Sequence, residues 1–436
     1  MAKKKDKLQV INNIQELNLE IDYDKLAEAI VKANQIEEEN AVKKRAADLE
    51  EWKRSLGVNK HEDNVCNSYD RNYCFLFQGG GMMNSFVNIT DVCSEIFAGG
   101  DAPKSNMSES KTDAYKIPIF SNGEANDGLY GYTNFARVTQ PSITVSARGT
   151  IGFVAVRNEP FVPIVRLISL TPDPEKIELK YLYYAIQNYK FDGSGTSIPQ
   201  LTVPMLKKYS FPLPTKEQQL AIIDQLDNVC NLISLRQQQL SKLDELVKSR
   251  FIELFGDPVS NPMGWKTKRF DALCENLDSR RKPITASERE AGIYPYYGAS
   301  GVVDYVADYL FDEDILLVSE DGANLLMRST PIAFSVSGKV WVNNHAHVVR
   351  FEKMSMQKYI EVFFSMIDIS EHITGSTQPK LNQAKLNAMM FPVPDNDRLE
   401  AFLSFVKQTD KSKFEIQQSL EKLETLKKAL MQKYFG

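Results

Sequence analysis

The chain has 436 residues and a formal net charge of −5, with 43% hydrophobic and 25% charged residues. This length accommodates two or three domains with substantial apolar cores. No window holds the roughly 20 apolar residues of a membrane span, and the lysine-rich start lacks the apolar region of a signal peptide. The slightly acidic balance does not favour indiscriminate coating of nucleic acid, although it permits a DNA reader whose basic residues lie on one face.

Cysteine usage favours a reduced, cytoplasmic protein. The five cysteines are odd in number and form no CxxC pair. Cys93 and Cys274 occupy equivalent positions of the internal repeat described below, which favours buried apolar thiols over a disulfide.

Residues 1–85 have no counterpart in that repeat. Within them, residues 24–56 are highly charged and carry apolar residues at steps of three and four, which predicts a helix that ends near Gly57. We therefore expect an N-terminal helical extension followed by a flexible linker, and its sequence indicates no function.

The rest of the chain is an internal repeat. Residues 193–214 (GSGTSIPQLTVPMLKKYSFPLP) resemble residues 374–394 (TGSTQPKLNQAKLNAMMFPVP), with a separation of 180 positions between matching residues such as Pro199 and Pro379. Inside the copies the offset falls to 177 and then to about 173. The repeat predicts two modules with one framework and different loops, which we call the first module (residues 86–214) and the second module (residues 257–396).

Each module combines strands and a helix. Short β-rich runs such as ITVSA, FVAVR, ILLVS and KVWVN predict strands separated by turns, and YLYYAIQ and YIEVFFSMI predict one helix per module. The expected fold class is therefore mixed α and β (α+β).

A long amphipathic helix is predicted after each module, at residues 215–256 and 397–436. Eight of the ten seam positions in the first are apolar, and the second has a more interrupted seam. As one helix, the first would extend ~60 Å. We expect the two helices to form an antiparallel coiled coil that separates and joins the modules with pseudo-two-fold symmetry. The alternative is that each helix packs only on its own module.

These features resemble the specificity subunit of type I restriction–modification systems over residues 86–436. The segments that carry the resemblance are IPQLTVPMLKKYSFPLPTKEQQLAI, GSTQPKLNQAKLNAMMFPVP, YPYYGASGVVDYV, SEDGANLL, SVSGKVWVNNHAHVVRF and, less closely, AGGDAP at residues 98–103. The chain departs from the family in its N-terminal extension and in the start of its second helix, PDNDRLE, which lacks the usual EQ dipeptide.

The resemblance implies a DNA reader without catalytic activity. Each target-recognition domain would read one half of a bipartite site in double-stranded DNA, and the paired helices would set the gap. The helices would also dock two adenine-N6 methyltransferase modification subunits, with which restriction/translocase subunits join. Consistent with this division, the sequence has no glycine-rich S-adenosylmethionine loop, no Asn-Pro-Pro-aromatic motif and no GxxxxGK[ST] loop. We expect no cofactor, no metal and no membrane partner.

Candidate DNA-contacting residues are polar, near predicted turns and different between the copies, because such side chains contact phosphates and base edges. In the first module they are Ser121, Asn122, Asn126, Tyr132, Ser146, Arg148, Thr196, Ser197 and Gln200. In the second module they are Tyr297, Ser300, Asn324, Arg328, Lys339, Asn343, Asn344, His345, Thr377 and Lys380. For each, the alternative is an ordinary turn residue. The repeated Pro199/Pro379 and Leu201/Leu381 are expected to be structural.

Two weaker patterns suggest an enzyme. Pro172-Asp173, Glu178 and Lys180 faintly resemble the PD…ExK motif of metal nucleases, but the segment is better interpreted as a polar turn before a helix. His345 and His347 would leave a strand on the same face, although no Cys, Asp or Glu partner stands at a spacing typical of metal ligands.

The predicted helix length bounds the DNA site. Modules at the ends of a ~60 Å helix pair cannot lie further apart than roughly 18 base pairs, and centres about one helical turn apart are favoured. The rival hypothesis from another class is a coiled-coil scaffold with two accessory domains that does not bind DNA, which leaves unexplained why the loops of the two modules differ.

Overall fold

A computed structural model of the protein describes residues 85–189, 200–375 and 377–436. The predicted N-terminal helix at residues 24–56 and the candidates Thr196 and Ser197 lie outside these residues. The chain divides into two compact units. We call the described residues before Gln238 together with Gln418–Gly436 the first unit, and Gln238–Gln417 the second unit.

In the described residues the first module has nine strands and three short α-helices, and the first long helix follows it. Its elements are β1 (Ser85–Asn88), α1 (Ile89–Val92), β2 (Cys93–Ala98), β3 (Ile117–Phe120), β4 (Leu129–Thr133), β5 (Ser142–Val145), β6 (Val154–Arg157), β7 (Val162–Pro163), β8 (Ile168–Pro172), α2 (Leu179–Asn188), α3 (Val203–Leu206), β9 (Ser210–Leu213) and α4 (Lys216–Phe255). One sheet has the order β2-β8-β5-β6, a second has the order β4-β3-β7, and β1 pairs with β9.

The second module repeats this plan. Its elements are β10 (Thr267–Arg269), β11 (Cys274–Asn276), β12 (Ala291–Gly298), β13 (Gly301–Val306), β14 (Phe311–Asp312), β15 (Ile315–Ser319), α5 (Asn324–Met327), β16 (Ala333–Val336), β17 (Lys339–Val342), β18 (Ala346–Phe351), α6 (Met354–Met366), α7 (Gln383–Ala388), β19 (Met390–Pro392) and α8 (Asn396–Phe435). The sheet orders are β11-β18-β15-β16 and β13-β12-β17-β14, with β10 paired to β19.

The two modules therefore share one topology. In each, a middle strand of the second sheet pairs in parallel with a later strand, β3 with β7 (Ile119 opposite Val162) and β12 with β17 (Tyr296 opposite Trp341), while the remaining strand pairs are antiparallel. The predicted mixed fold, the four predicted strand runs and the helix in each module are confirmed.

A buried tyrosine explains why the FPLP and FPVP segments recur. The hydroxyl of Tyr181 donates to the carbonyl oxygen of Pro212 at 2.8 Å, and that of Tyr359 donates to the carbonyl oxygen of Pro392 at 3.0 Å. Burial raises the pKa of both hydroxyls, so both remain donors. The same bond thus joins the module's helix to its last strand in both copies.

The long helices contact each other in each unit. In the first unit, the hydroxyl of Tyr434 donates to the side-chain oxygen of Gln225 at 2.7 Å. In the second, Lys413 and Asp244 form an ion pair at 2.6 Å, and Arg398 donates to the carbonyl oxygen of Leu254 at 3.0 Å. In the second unit residue numbers rise along α4 as they fall along α8, so the predicted antiparallel pairing is confirmed.

The predicted seam is buried towards both ends of α4. Ile222, Leu226 and Val229 are buried in the first unit, and Leu243 and Val247 in the second. All of these except Val229 belong to the same apolar clusters as the module side chains, so each helix packs on a module as well as on its partner helix. No helix in the described part of the chain is long and apolar enough to cross a membrane.

The cysteines at equivalent repeat positions are free thiols. Cys93 and Cys274 pack against the two largest apolar clusters, and burial raises the pKa of each thiol to about 12. At neutral pH both are therefore protonated and unreactive.

Candidate nucleic-acid interface

Three loops and the segment before α3 meet at one edge of the first module. The side chain of Asn122, after β3, donates to the carbonyl oxygen of Val165 at 2.6 Å and accepts from the N–H of Ala147 at 2.7 Å. The carbonyl oxygen of Ala147 accepts in turn from the N–H of Leu201 at 3.0 Å. Asn122 and the repeated Leu201 thus hold the loops together.

The candidate residues of the first module divide into outward and inward groups. Arg148 is exposed and donates to Gln200 at 2.9 Å, so the structure brings these two candidates together. Asn126 is exposed at a loop tip with φ of 48°. Ser121 and Tyr132 are half-buried. Ser146 is fully buried, and its hydroxyl oxygen accepts from the N–H of Gly123 at 3.2 Å.

A buried arginine, which the sequence analysis did not select, holds the Asn126 loop. Arg157 forms an ion pair with Asp127 at 2.5 Å and donates to the hydroxyl oxygen of Thr144 at 3.1 Å, and its guanidinium lies 3.6 Å from the centre of the Phe120 ring. Burial lowers the pKa of Arg157, and Asp127 opposes that shift. Because an isolated buried cation is costly, this pairing restrains the exposed loop that carries Asn126.

The second module repeats the same junction. The N–H of Leu381 donates to the carbonyl oxygen of Glu320 at 2.8 Å, in the position of the Leu201–Ala147 bond. The N–H of Glu320 donates to the carbonyl oxygen of His345 at 2.9 Å. The loops after β15 and β17 and the segment before α7 therefore converge in the second module too.

Six candidates of the second module are exposed, namely Ser300, Lys339, Asn344, His345, Thr377 and Lys380. Three of these have a partner of their own. The Nδ1 of His345 lies 2.9 Å from Asp321, the Nζ of Lys380 lies 3.1 Å from Glu320, and the Nζ of Lys339 lies 4.6 Å from the centre of the Tyr309 ring.

The other four candidates of the second module have their polar or aromatic groups engaged internally. Asn324 bonds to both backbone groups of Thr330, and the Oδ1 of Asn343 accepts from the N–H of His345 at 2.8 Å. Arg328 donates at 2.9 Å to two carbonyl oxygens at the end of α6, and the half-buried ring of Tyr297 packs on that of Phe334. These side chains stabilise the loops of the edge.

Behind this edge lies a buried charged network, which we call the Asp278 network. His347 is 1% exposed, with Nδ1 2.6 Å from Asp278 and Nε2 2.8 Å from the carbonyl oxygen of Leu381. Arg281 forms ion pairs with Glu320 at 2.7 Å and with Asp278 at 3.3 Å. Burial acts to raise the pKa of Asp278, but the hydrogen bond from His347 and its other partners outweigh it and hold that pKa below its usual value.

The two histidines thus have separate partners, and only His347 lies in strand β18. The residues of the PD…ExK-like segment are also separated, because Asp173 pairs with Lys176, Glu178 with Lys216, and Lys180 with Asp227. Within the described ranges, no group of three or more His, Cys, Asp or Glu residues is placed to hold a metal ion.

One exposed turn of the first module, at Val165-Arg166, is not among the residues predicted from the sequence. The N–H of Ile164 donates to the carbonyl oxygen of Phe120, and the N–H of Asn343 donates to that of Tyr297 at the equivalent place in the second module. The turn Val165-Arg166 therefore occupies the position of Asn344-His345. The two turns are 179 positions apart, and because this offset aligns no identical residues in this stretch, the repeat offered no signal for the first turn. It was hidden because IVRL lies inside the apolar run FVPIVRLISL, which resembles one continuous strand.

Comparisons with known proteins place the chain in a family. The sequence model described as the type I restriction modification DNA specificity domain matches residues 84–245 and again residues 262–428. Two proteins of Mycoplasma pneumoniae (strain ATCC 29342 / M129) that are named as type I specificity subunits are 37% identical over 139 residues and 32% identical over 160 residues. These matches cover 32% and 37% of this chain but only 38% and 47% of the relatives.

A solved structure shows the same fold. The S subunit of a type I restriction–modification system from M. genitalium superimposes with a TM-score of 0.52 at 17% identity, over 81% of this chain and 96% of that chain. At this level of identity the likeness concerns the fold.

Proposed function

Because the chain belongs to the family of the type I restriction–modification DNA specificity domain and contains two copies of it, we propose that it is the DNA-recognition subunit of a type I restriction–modification complex. The observation that carries the proposal is that both modules repeat one junction of loops while the exposed polar side chains on that junction differ. A constant framework with variable polar groups is what two readers of different half-sites require, since hydrogen bonds to base edges distinguish sequences, whereas phosphate contacts only position the protein.

The DNA-facing set consists of candidates that are exposed or lie beside an exposed one. These are Asn126, Arg148 and Gln200 in the first module, and Ser300, Lys339, Asn344, His345, Thr377 and Lys380 in the second. Asn122, Ser146, Asn324, Arg328, Asn343 and Tyr297 act indirectly, by fixing the loops that carry this set. Ser121 and Tyr132 are half-buried and belong to neither group.

In the proposed complex this subunit recognises DNA and leaves catalysis to its partners, which are two adenine-N6 methyltransferase subunits and the restriction/translocase subunits that join them.

The proposed domain division has five parts. Residues 1–85 form an extension, 86–214 and 257–396 are the target-recognition domains, and 215–256 and 397–436 are the long helices. Exposed apolar side chains on the helices support docking there, among them Phe414 at 64% and Leu235 at 47%.

Mapping N6-methyladenine tests the function. The chain is co-expressed with methyltransferase subunits that form a complex with it, and the methylated sites of the host genome are sequenced. We expect a bipartite motif that disappears when this chain is deleted. Exchanging the loop edges of the two modules should yield a hybrid or reordered motif, whereas a scaffold that does not bind DNA would leave methylation unchanged.

The gap length of the motif should depend on the long helices. Deleting one heptad from each of α4 and α8 removes ~10.5 Å of helix, so the gap should shorten by about three base pairs. Alanine substitution of exposed residues in the same heptads keeps the length and should leave the gap unchanged. The same gap before and after the double deletion, again read from the methylated motif, would contradict a role of the helices as a ruler.

A further inference from the structure

The turn between β7 and β8 of the first module has a costly backbone conformation. Val165 and Arg166 both adopt positive φ, 52° and 64°, and the N–H of Leu167 donates to the carbonyl oxygen of Ile164 at 3.0 Å. Two consecutive left-handed residues are typical of a type I′ turn, where Asn-Gly is preferred. A β-branched valine in this region is a genuine outlier.

Contacts from other segments hold the turn in place. The N–H of Val165 donates to the carbonyl oxygen of Gly100 at 2.7 Å, and that of Arg166 donates to the carbonyl oxygen of Gly99 at 3.0 Å. The side chain of Asn122 donates to the carbonyl oxygen of Val165 at 2.6 Å. A Cβ on Gly99 would lie 2.4 Å from the carbonyl oxygen of Pro163, so only glycine permits this approach. The two glycines of the AGGDAP segment therefore support the turn, and strain maintained in this way is typical of functional sites.

The turn presents an arginine whose donors are unused. Arg166 is exposed and its guanidinium makes no hydrogen bond or ion pair within the described residues, whereas the side chain of every other arginine among them has an internal partner. In the first module the others bind Glu95, Gln200 and Asp127. Val165 beside it is 45% exposed. An unpaired guanidinium can donate to a ligand without first breaking an internal bond, and the restrained turn that carries it loses little backbone freedom on binding.

We propose that Arg166 is a specificity-determining residue of the first module and donates two hydrogen bonds to the O6 and N7 of a guanine in its half-site. This inference rests on the proposed function. The position of the turn supports it. The side chain of Asn122 bonds both to Val165 of the turn and to Ala147, the residue before Arg148, and the turn occupies the position that His345 has in the second module. The planar fork of arginine fits these two guanine acceptors, and this pair is the commonest specific contact in the major groove.

The first test compares the methylated motifs of the wild-type chain, Arg166→Ala and Arg166→Lys, each in complex with the methyltransferase subunits. Both variants should relax one guanine position of one half-site, with discrimination falling by roughly 5- to 150-fold in the alanine variant, and leave the other half-site intact. Lysine keeps the charge but lacks the fork, so it should not restore discrimination. Arg137→Ala is the matched control, because Arg137 is an exposed arginine of the same module that is paired with Glu95.

Uniformly weaker methylation without a relaxed position, restored by lysine, would show a phosphate contact and overturn the proposal. An unchanged motif in Arg166→Ala would also overturn the proposal for Arg166. The proposed function would still hold in that case, provided that the wild-type complex gives a bipartite motif. No bipartite motif from an active wild-type complex would overturn the function itself, and the inference with it.

A second test replaces the relaxed guanine with 7-deazaguanine in a DNA duplex and measures binding to the full chain. The analogue lacks the N7 acceptor, so it should weaken binding of the wild type and have no effect on Arg166→Ala. Equal losses for both proteins would show that another group contacts this base, and would overturn the assignment.

Discussion

Replacing Phe251 with alanine should lower the free energy of unfolding of the second unit by roughly 3–5 kcal/mol. The Phe251 side chain is fully buried, and its ring stacks on Tyr359 at 5.1 Å between centroids and meets Phe402 edge-on at 5.7 Å. It therefore joins α4 to both the module helix α6 and the second long helix α8. Truncation leaves a cavity that rigid aromatic neighbours cannot fill.

Urea denaturation followed by circular dichroism measures this effect, and Ile252→Ala is the matched control. Ile252 is the next residue of the same helix but is 46% exposed, so its truncation should cost well under 1 kcal/mol. Similar losses in the two variants would contradict the assigned role of Phe251. Because the helix pair depends on this cluster, Phe251→Ala should also weaken association with the methyltransferase subunits.

Asp278→Ala should destabilise the second unit by a similar amount, roughly 3–5 kcal/mol at neutral pH. The carboxylate accepts from the N–H of Val348 at 2.8 Å, lies 2.6 Å from His347 and pairs with Arg281, and its side chain is 9% exposed. Removing it leaves a nearly buried guanidinium and imidazole without one of their partners. Asp314→Ala, which removes an exposed carboxylate just before β15, should change stability little.

The effect of Asp278→Ala should depend on pH. The folded protein holds the pKa of Asp278 below its usual value, so the carboxylate stabilises the fold fully above the unfolded pKa of about 3.9. That contribution is lost as the pH falls through the folded pKa. The difference in unfolding free energy between wild type and variant should therefore be constant near neutrality and shrink below about pH 4. A difference that is independent of pH down to acid unfolding would show that Asp278 acts through packing alone.

The framework of both modules could be predicted because its signals are local. The runs ITVSA and ILLVS carry strand propensity in a few residues, and the seam of α4 repeats every three to four residues. The repeat supported these predictions, because the same pattern of elements occurs twice in the chain. The antiparallel pairing followed because each helix has an apolar stripe that needs a partner.

The site could be predicted only in part, because the sequence does not show which polar groups are already used. Ser146 and Asn343 follow strands and are polar, as Arg148 and Asn344 are, yet the first two are buried and the second two exposed. The partners that decide this lie far along the chain. Asn122 bonds to Val165, 43 positions away, and Arg328 bonds to Phe364, 36 positions away.

The sequence by itself determined the duplication, the element types, the long helices and the family, since each depends on residue order over short windows or on similarity between segments. The tertiary structure decided which side chains of the edge face outward, the Asp278 network behind it and the strained turn that presents Arg166. The physical reason is that hydrogen bonds and ion pairs between distant loops compete for the same polar groups, and only the folded arrangement shows which groups remain free to bind DNA.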